Sequence, residues 1–135
     1  MPSHVVDITE RACRDVGLGI ADATVAVLGL TYEADSDDER NAPGPRVAME
    51  LERRGAHVER HDPFVTPDRA VADVLRGCDV AVVVVPHAIY RESDWDALGS
   101  AMRHRVVFDC RRALEADALR LLGFSYRALG VAALR

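Results

Sequence analysis

Short apolar segments alternate with segments of helical period along this chain, and this alternation is what most constrains its fold. Residues 23–30 and 79–85 are rich in Val and nearly free of polar side chains. A strand that is apolar on both faces is typical of a parallel sheet covered by helices. Similar strands are predicted at residues 56–61, 105–110 and 124–129. The chain is therefore predicted to be an α/β domain.

The intervening segments have the apolar spacing and the end signals of helices. Ser3 and Ser93 are suitable N-caps, Pro43 is tolerated in a first turn, and Gly55 suits a helix end. The predicted helices are residues 3–16, 43–54, 66–76, 94–102 and 115–122. Such βαβ units predict a Rossmann-like three-layer domain, with a five-stranded parallel sheet and helices on both faces. The strand order expected is 3-2-1-4-5.

Charge and composition exclude several classes of function. The net charge is −5 and every basic side chain is Arg, so neither a nucleic-acid partner nor a membrane surface is expected. No apolar run approaches the ~18 residues of a membrane span, and the first residues lack the apolar core of a signal peptide. Cys13, Cys78 and Cys110 are scattered, which favours small buried side chains in a reducing, cytoplasmic compartment.

In parallel sheets, ligands bind beyond the carboxyl ends of the strands. The loops in that position are residues 31–42, 86–92 and 110–114. Gly29 ends the first strand without a GxGxxG pattern, so an independent NAD site is not expected and no cofactor is assigned to this chain. Gly29 is better explained by a close approach of neighbouring backbone.

The first loop, TYEADSDDERNA, precedes the predicted helix start at Pro43. A helix N-terminus beside Arg40 can bind a phosphate, with Tyr32 and Glu33 nearby. The alternative is a solvated acidic loop whose Asp residues cap turns. Asp37 and Asp38 are adjacent, so their side chains point apart, and no metal site is assigned.

Two further candidates follow later strands. His87 comes directly after Pro86, where a ligand could reach it, although a structural role remains open. Arg111 and Arg112 follow the fourth strand and could clamp a diphosphate or a sugar acid, or could pair with the acidic loop. Cys110 beside Arg111 could be acidified, but no base accompanies it.

These motifs together resemble one enzyme family. The run VAVLGLTYEADSDDERNAPG resembles a G-L-A/S-Y/F-K-x-D/N-T-D-D-x-R-x-S-P pattern at the start of the C-terminal domain of the UDP-glucose/GDP-mannose dehydrogenase family. HDP at residues 61–63 resembles the family's YDP, and VFDCR at residues 107–111 resembles its V-F-D-G-R. VPH at residues 85–87, with DW at residues 94–95, is similar to the branch that acts on UDP-N-acetylmannosamine.

The resemblance implies a UDP-binding domain of an NAD-dependent UDP-sugar 6-dehydrogenase, with residues 21–135 as that domain. Residues 1–20 would end a linking helix from a central domain. The implied partners are a UDP-sugar and the NAD-binding and central domains, with a homo-oligomer possible. The family's catalytic Cys has no counterpart here, so this chain alone is expected to be inactive, with NAD used by the full-length enzyme.

The resemblance implies Tyr32, Glu33, Arg40 and Arg111 as substrate-binding positions. Two departures from the family pattern matter for binding. Glu33 stands where the family has a Lys that contacts the nucleotide, and Cys110 replaces a Gly. Two alternatives therefore stay open: a degenerate interaction or regulatory module without UDP affinity, and a small flavodoxin-like signalling domain.

Overall fold

The structure, a computed structural model, describes residues 2–36 and 42–130. One parallel sheet contains all five strands described: β1 (Thr24–Leu28), β2 (His57–His61), β3 (Val80–Val83), β4 (Val106–Asp109) and β5 (Ser125–Ala128). The helices are α1 (Pro2–Asp15), α2 (Pro43–Arg53), α3 (Val71–Leu75), α4 (Ala88–Arg91), α5 (Trp95–Ala101) and α6 (Ala116–Leu121), with a 3-10 turn at Ile20–Asp22. The predicted α/β class and parallel sheet are confirmed.

The strand order is β2-β1-β3-β4-β5, so the predicted order 3-2-1-4-5 is wrong. All four residues of β3 are buried, whereas β2 exposes His57 and leaves Glu59 and Arg60 half-buried. A polar strand is stable at an edge, where one side meets water. The apolar β3 instead lies between β1 and β4.

Alternating side chains of the strands point into two separate hydrophobic cores, one on each face of the sheet. Val25 and Val27 of β1 belong to the core under α1 and α2, whereas Ala26 and Leu28 belong to the core under α3, α5 and α6. This period of two, with both faces apolar, is what a sheet between two helical layers requires. The three-layer arrangement is therefore confirmed.

Helix α1 packs into the first of these cores. Val5, Val6, Ala12 and Cys13 are buried there. Arg54, which directly follows α2, also forms ion pairs with Asp7 and Glu10 of α1. The assignment of residues 1–20 to a linking helix from another domain stays a prediction.

Some element boundaries differ from those predicted. Helix α3 is confined to Val71–Leu75, and the one-turn helix α4 was not predicted. Asp94 rather than Ser93 caps α5, because its carboxylate accepts hydrogen bonds from the backbone N–H groups of Asp96 and Ala97. Glu50 of α2 forms an ion pair with Arg54, four residues on, at 3.2 Å.

Candidate functional site

The strand order places a switch point at the carboxyl ends of β1 and β3. The chain leaves β1 towards β2 on one side, and β3 lies on the other side. In open parallel sheets this is where ligands bind. The loops that follow β1, β2, β3 and β4 all meet at this edge.

Two glycines bring the start of α2 onto the end of β1. Gly29 has φ +100°, and a Cβ at this position would lie 2.7 Å from the backbone nitrogen of Val85. A Cβ on Gly44 would lie 2.1 Å from the carbonyl oxygen of Gly29. The predicted close approach of backbone at Gly29 is confirmed, and it sets the first turn of α2 against the end of β1.

The buried carboxylate of Asp62 organises the end of β1. Its Oδ2 accepts hydrogen bonds from the backbone N–H groups of Leu30 at 2.7 Å and Thr31 at 3.2 Å. The Thr31 hydroxyl donates to the same oxygen at 3.1 Å, and the N–H of Phe64 donates to Oδ1 at 2.8 Å. Burial alone would raise the pKa of Asp62, but these backbone donors, with His87, hold the pKa below its usual value. Asp62 is therefore an anion in the folded protein.

His87 is buried between the loops that follow β1 and β3. Its Nε2 lies 2.8 Å from Oδ2 of Asp62 and 2.8 Å from the hydroxyl of Thr31. Its Nδ1 accepts a hydrogen bond of 2.7 Å from the backbone N–H of Asp35. Of the two roles that the sequence leaves open for His87, the structure supports the structural one, because both ring nitrogens are engaged within the protein.

Asp35 connects the loop after β1 to helix α4. Its carboxylate accepts from the backbone N–H of Ala88 at 2.8 Å and from Nη2 of Arg91 at 3.0 Å. Its φ is +58°, a left-handed conformation that few residues other than Gly and Asn or Asp adopt. Arg112 has φ +55°, and no third non-glycine residue has positive φ in the described segments. Both sit at the carboxyl edge of the sheet, where strained backbone often marks function.

Three of the four predicted substrate-binding residues lie at this edge. Tyr32 and Glu33 are exposed, and Nη2 of Arg111 donates to the carbonyl oxygen of Tyr32 at 3.3 Å. Within residues 2–36 and 42–130 the carboxylate of Glu33 has no hydrogen bond or ion pair. The fourth residue, Arg40, lies outside the described residues, as do Asp37 and Asp38. The structure thus brings together Tyr32 and Arg111, 79 residues apart in the chain.

Asp109 shapes the turn that carries Arg111. Its Oδ2 accepts from the backbone N–H of Leu114 at 2.8 Å and from the Tyr126 hydroxyl at 2.7 Å. Next to it, burial raises the pKa of the Cys110 thiol to about 12. Acidification of Cys110 by Arg111 is therefore the wrong expectation, and this thiol is a packed side chain rather than a nucleophile.

Residues 26–116 match the UDP binding domain of the UDP-glucose/GDP-mannose dehydrogenase family. The chain belongs to this family. None of the helices in the described segments has the length and apolar character needed to cross a bilayer.

Similar proteins include a UDP-N-acetyl-D-mannosamine dehydrogenase from Pyrococcus horikoshii, 28% identical over 96% of this chain and 31% of the relative. A UDP-glucose 6-dehydrogenase from Rickettsia felis is 26% identical over 78% of this chain and 27% of the relative. Among solved structures, the P. horikoshii UDP-D-ManNAc dehydrogenase superposes with a TM-score of 0.87 at 26% identity, over 96% of this chain and 30% of that one. An NDP-N-acetyl-D-galactosaminuronic acid dehydrogenase from Methanosarcina mazei gives 0.85 at 29% identity, over 96% and 29%. The chain thus spans about a third of the length of the curated relatives it matches.

The buried part of the site was not predicted from the sequence. Thr31, Asp35 and Asp62 were not assigned a role, although Asp62 directly follows the strand predicted at residues 56–61. His87 follows the strand predicted at residues 79–85 after one proline. A polar residue at that point, next to a proline that ends the strand, is the signal that could have found them.

Proposed function

We propose that this chain supplies the nucleotide-sugar-binding part of an NAD-dependent UDP-sugar 6-dehydrogenase. The observation that carries the proposal is the match to the family's UDP binding domain over residues 26–116. The NAD-binding part and the catalytic residues of such an enzyme lie outside the residues described here. The substrate we propose is UDP-N-acetyl-D-mannosamine, because the chain is similar to two UDP-N-acetyl-D-mannosamine dehydrogenases.

The carboxyl edge of the sheet has the chemistry to hold a diphosphate. Arg111 and Arg112 are exposed there. A single Arg guanidinium can donate two parallel hydrogen bonds to the oxygens of one phosphate. The first turn of α2 is held at the same edge by Gly44. Pro43 and Pro45 have no backbone N–H, so Gly44 and Arg46 are the residues among the first four of α2 whose N–H groups can attract an anion. We therefore place the diphosphate between the loop carrying Tyr32 and Glu33 and the turn carrying Arg111. Arg40 lies outside the described residues, and its contribution to the site stays a prediction.

The presence of Glu33 supports a second candidate function. A carboxylate in place of the family's Lys repels a diphosphate rather than attracting it. In this alternative the domain keeps its fold but serves as an interaction or regulatory module without UDP affinity. We also propose a cytoplasmic location, since the three cysteines are buried and unpaired.

Chemical-shift mapping with UDP decides between the two functions. We expect shifts confined to residues near Tyr32, Glu33 and Arg111, with uridine and inorganic phosphate as controls, and weaker binding in Arg111→Ala. Absence of any saturable shift in the parent protein and in Glu33→Lys would favour the interaction module. In a parallel assay the purified chain should form no NADH from NAD and UDP-N-acetyl-D-mannosamine, because hydride transfer needs both reactants held together.

A further inference from the structure

We infer that His87 is a positioning residue for nucleotide binding, which acts through Nδ1 by holding the loop segment that carries Tyr32 and Glu33. The inference rests on the proposed function, because it assigns a role within that site. His87 itself is buried and does not reach a ligand.

The hydrogen bonds fix the tautomer of the ring. A backbone N–H can only donate, so Nδ1, which receives the N–H of Asp35 at 2.7 Å, carries no proton. The proton of the neutral ring therefore resides on Nε2, which donates to the Asp62 carboxylate at 2.8 Å. An anionic carboxylate on one ring nitrogen sets the orientation of the other, as in many functional histidines.

Packing holds the ring in this orientation. The ring of Phe64 lies 5.2 Å from that of His87 and the ring of Tyr90 lies 5.8 Å from it, centroid to centroid. The Asp62 carboxylate is itself fixed by backbone donors on both of its oxygens. Nδ1 is thus a rigid acceptor presented to the loop after β1.

Residues 31–35 are held at both ends by this assembly. Asp62 binds the backbone N–H of Thr31, and His87 binds that of Asp35. Asp35 adopts left-handed backbone, which Asp tolerates better than most residues do, and in this conformation its N–H is directed at Nδ1 of His87. Tyr32 and Glu33 lie between the two attachment points. Without the His87 acceptor the Asp35 backbone loses its hydrogen bond and is held only through its side chain, by Ala88 and Arg91, so the segment that faces the ligand is loosened.

Two amide substitutions at His87 distinguish the role of Nδ1 from that of Nε2. His87→Asn places an amide oxygen near the position of Nδ1 and keeps an acceptor for the Asp35 N–H. His87→Gln places an amide near Nε2 and keeps a donor to Asp62, but removes that acceptor. Both replace the aromatic ring by an amide. Asn is the smaller of the two and lacks the donor to Asp62, so lost packing and the lost Asp62 contact would weaken His87→Asn more than His87→Gln, opposite to the effect of losing the Nδ1 acceptor.

We expect His87→Gln to lose amide-exchange protection at Asp35 and to bind UDP about tenfold more weakly, while His87→Asn stays closer to the parent. Equal UDP affinity in the parent and His87→Gln, or equal losses in the two variants, would overturn the inference and leave the proposed function intact. No UDP binding by the parent or by Glu33→Lys would overturn the proposed function. In that case the amide-exchange protection of Asp35 in the two His87 variants still tests whether His87 holds the loop.

The unaltered protein gives a test that does not depend on the folding of a variant. Long-range proton–nitrogen spectra of the His87 ring should show a protonated Nε2 and an unprotonated Nδ1. A protonated Nδ1 at neutral pH would overturn the inference, because that nitrogen could not then accept from Asp35.

Discussion

Nε2 of His87 lies 2.8 Å from Oδ2 of Asp62, although the two residues follow strands on opposite sides of β1. Neighbouring strands are ~4.8 Å apart, so β2 and β3 are separated by about twice that distance. The two side chains therefore meet across the end of β1 and close over the backbone of Leu30 and Thr31. This pair makes the carboxyl edge of the sheet a fixed frame rather than a set of independent loops.

Asp62→Asn should destabilise the protein by about 2–4 kcal/mol. An amide nitrogen cannot accept the hydrogen bonds that the carboxylate receives, so either the Leu30 and Thr31 donors or the Phe64 donor loses its partner. Urea unfolding of the variant measures the loss. Asp68→Asn, at an exposed position, is the matched control and should change stability little. A variant at Asp62 as stable as the parent would show that these hydrogen bonds do not hold the edge.

The free energy of unfolding should fall as the pH is lowered below about 6.5. Burial lowers the pKa of His61 from its usual 6.5, so below that pH the unfolded chain binds a proton that the folded protein resists. The lowered pKa of Asp62 also makes the free energy of unfolding fall as the pH falls, but at lower pH, below 3.8, the usual pKa of an Asp side chain. Stability from both groups is present at neutral pH and lost in acid.

Urea midpoints at several pH values between 5 and 8, measured for the parent and His61→Gln, test this dependence. The slope should be smaller in His61→Gln than in the parent, while His4→Gln, at an exposed position of α1, should retain the parent slope. Parallel pH profiles for the parent and His61→Gln would assign the dependence to other groups.

The sequence was sufficient for the layers of the fold but was misread for the order of the strands. Unbroken apolar runs at β1 and β3 required burial on both faces, which only a covered parallel sheet provides. The composition of β2, HVERH, contained the information that was not used, because charged side chains favour an edge and Val80–Val83 favours the interior. That contrast alone rejects an order with β3 at the edge.

The site could be predicted only in part because its buried half depends on contacts between distant residues. Tyr32, Glu33 and Arg111 were found from their position after strands and from the family pattern. The contact of Asp35 with His87 spans 52 residues and involves a backbone N–H, which no spacing in the sequence encodes. Helix α4 was missed because four residues are too short to show helical periodicity.

Gly44→Ala should destabilise the protein by about 1–3 kcal/mol, although alanine normally favours a helix. The added Cβ would lie 2.1 Å from the Gly29 carbonyl oxygen, so α2 must move away from the end of β1. Gly19→Ala is the matched control, because its φ of −73° suits any residue and the nearest atom to the new Cβ is 3.8 Å away. Thermal unfolding of both variants measures the difference. An unchanged midpoint in Gly44→Ala would mean that the helix start is not held tightly against the strand.

We expect the parent to bind UDP with a Kd of roughly 1 mM or more. Glu33→Lys should bind UDP at least about tenfold more tightly than the parent. The substitution changes the local charge by two units at the edge where Arg111 meets Tyr32. The gain should shrink as salt rises, because charges at an exposed position are screened. Asp22→Lys makes the same change in net charge just before the amino end of β1, at the opposite edge of the sheet, and should leave UDP affinity nearly unchanged. Titration of all three proteins at low and high salt measures both effects. Equal affinities of Glu33→Lys and the parent at low salt would show that Glu33 does not face the diphosphate, and the placement of the site beside it would fail.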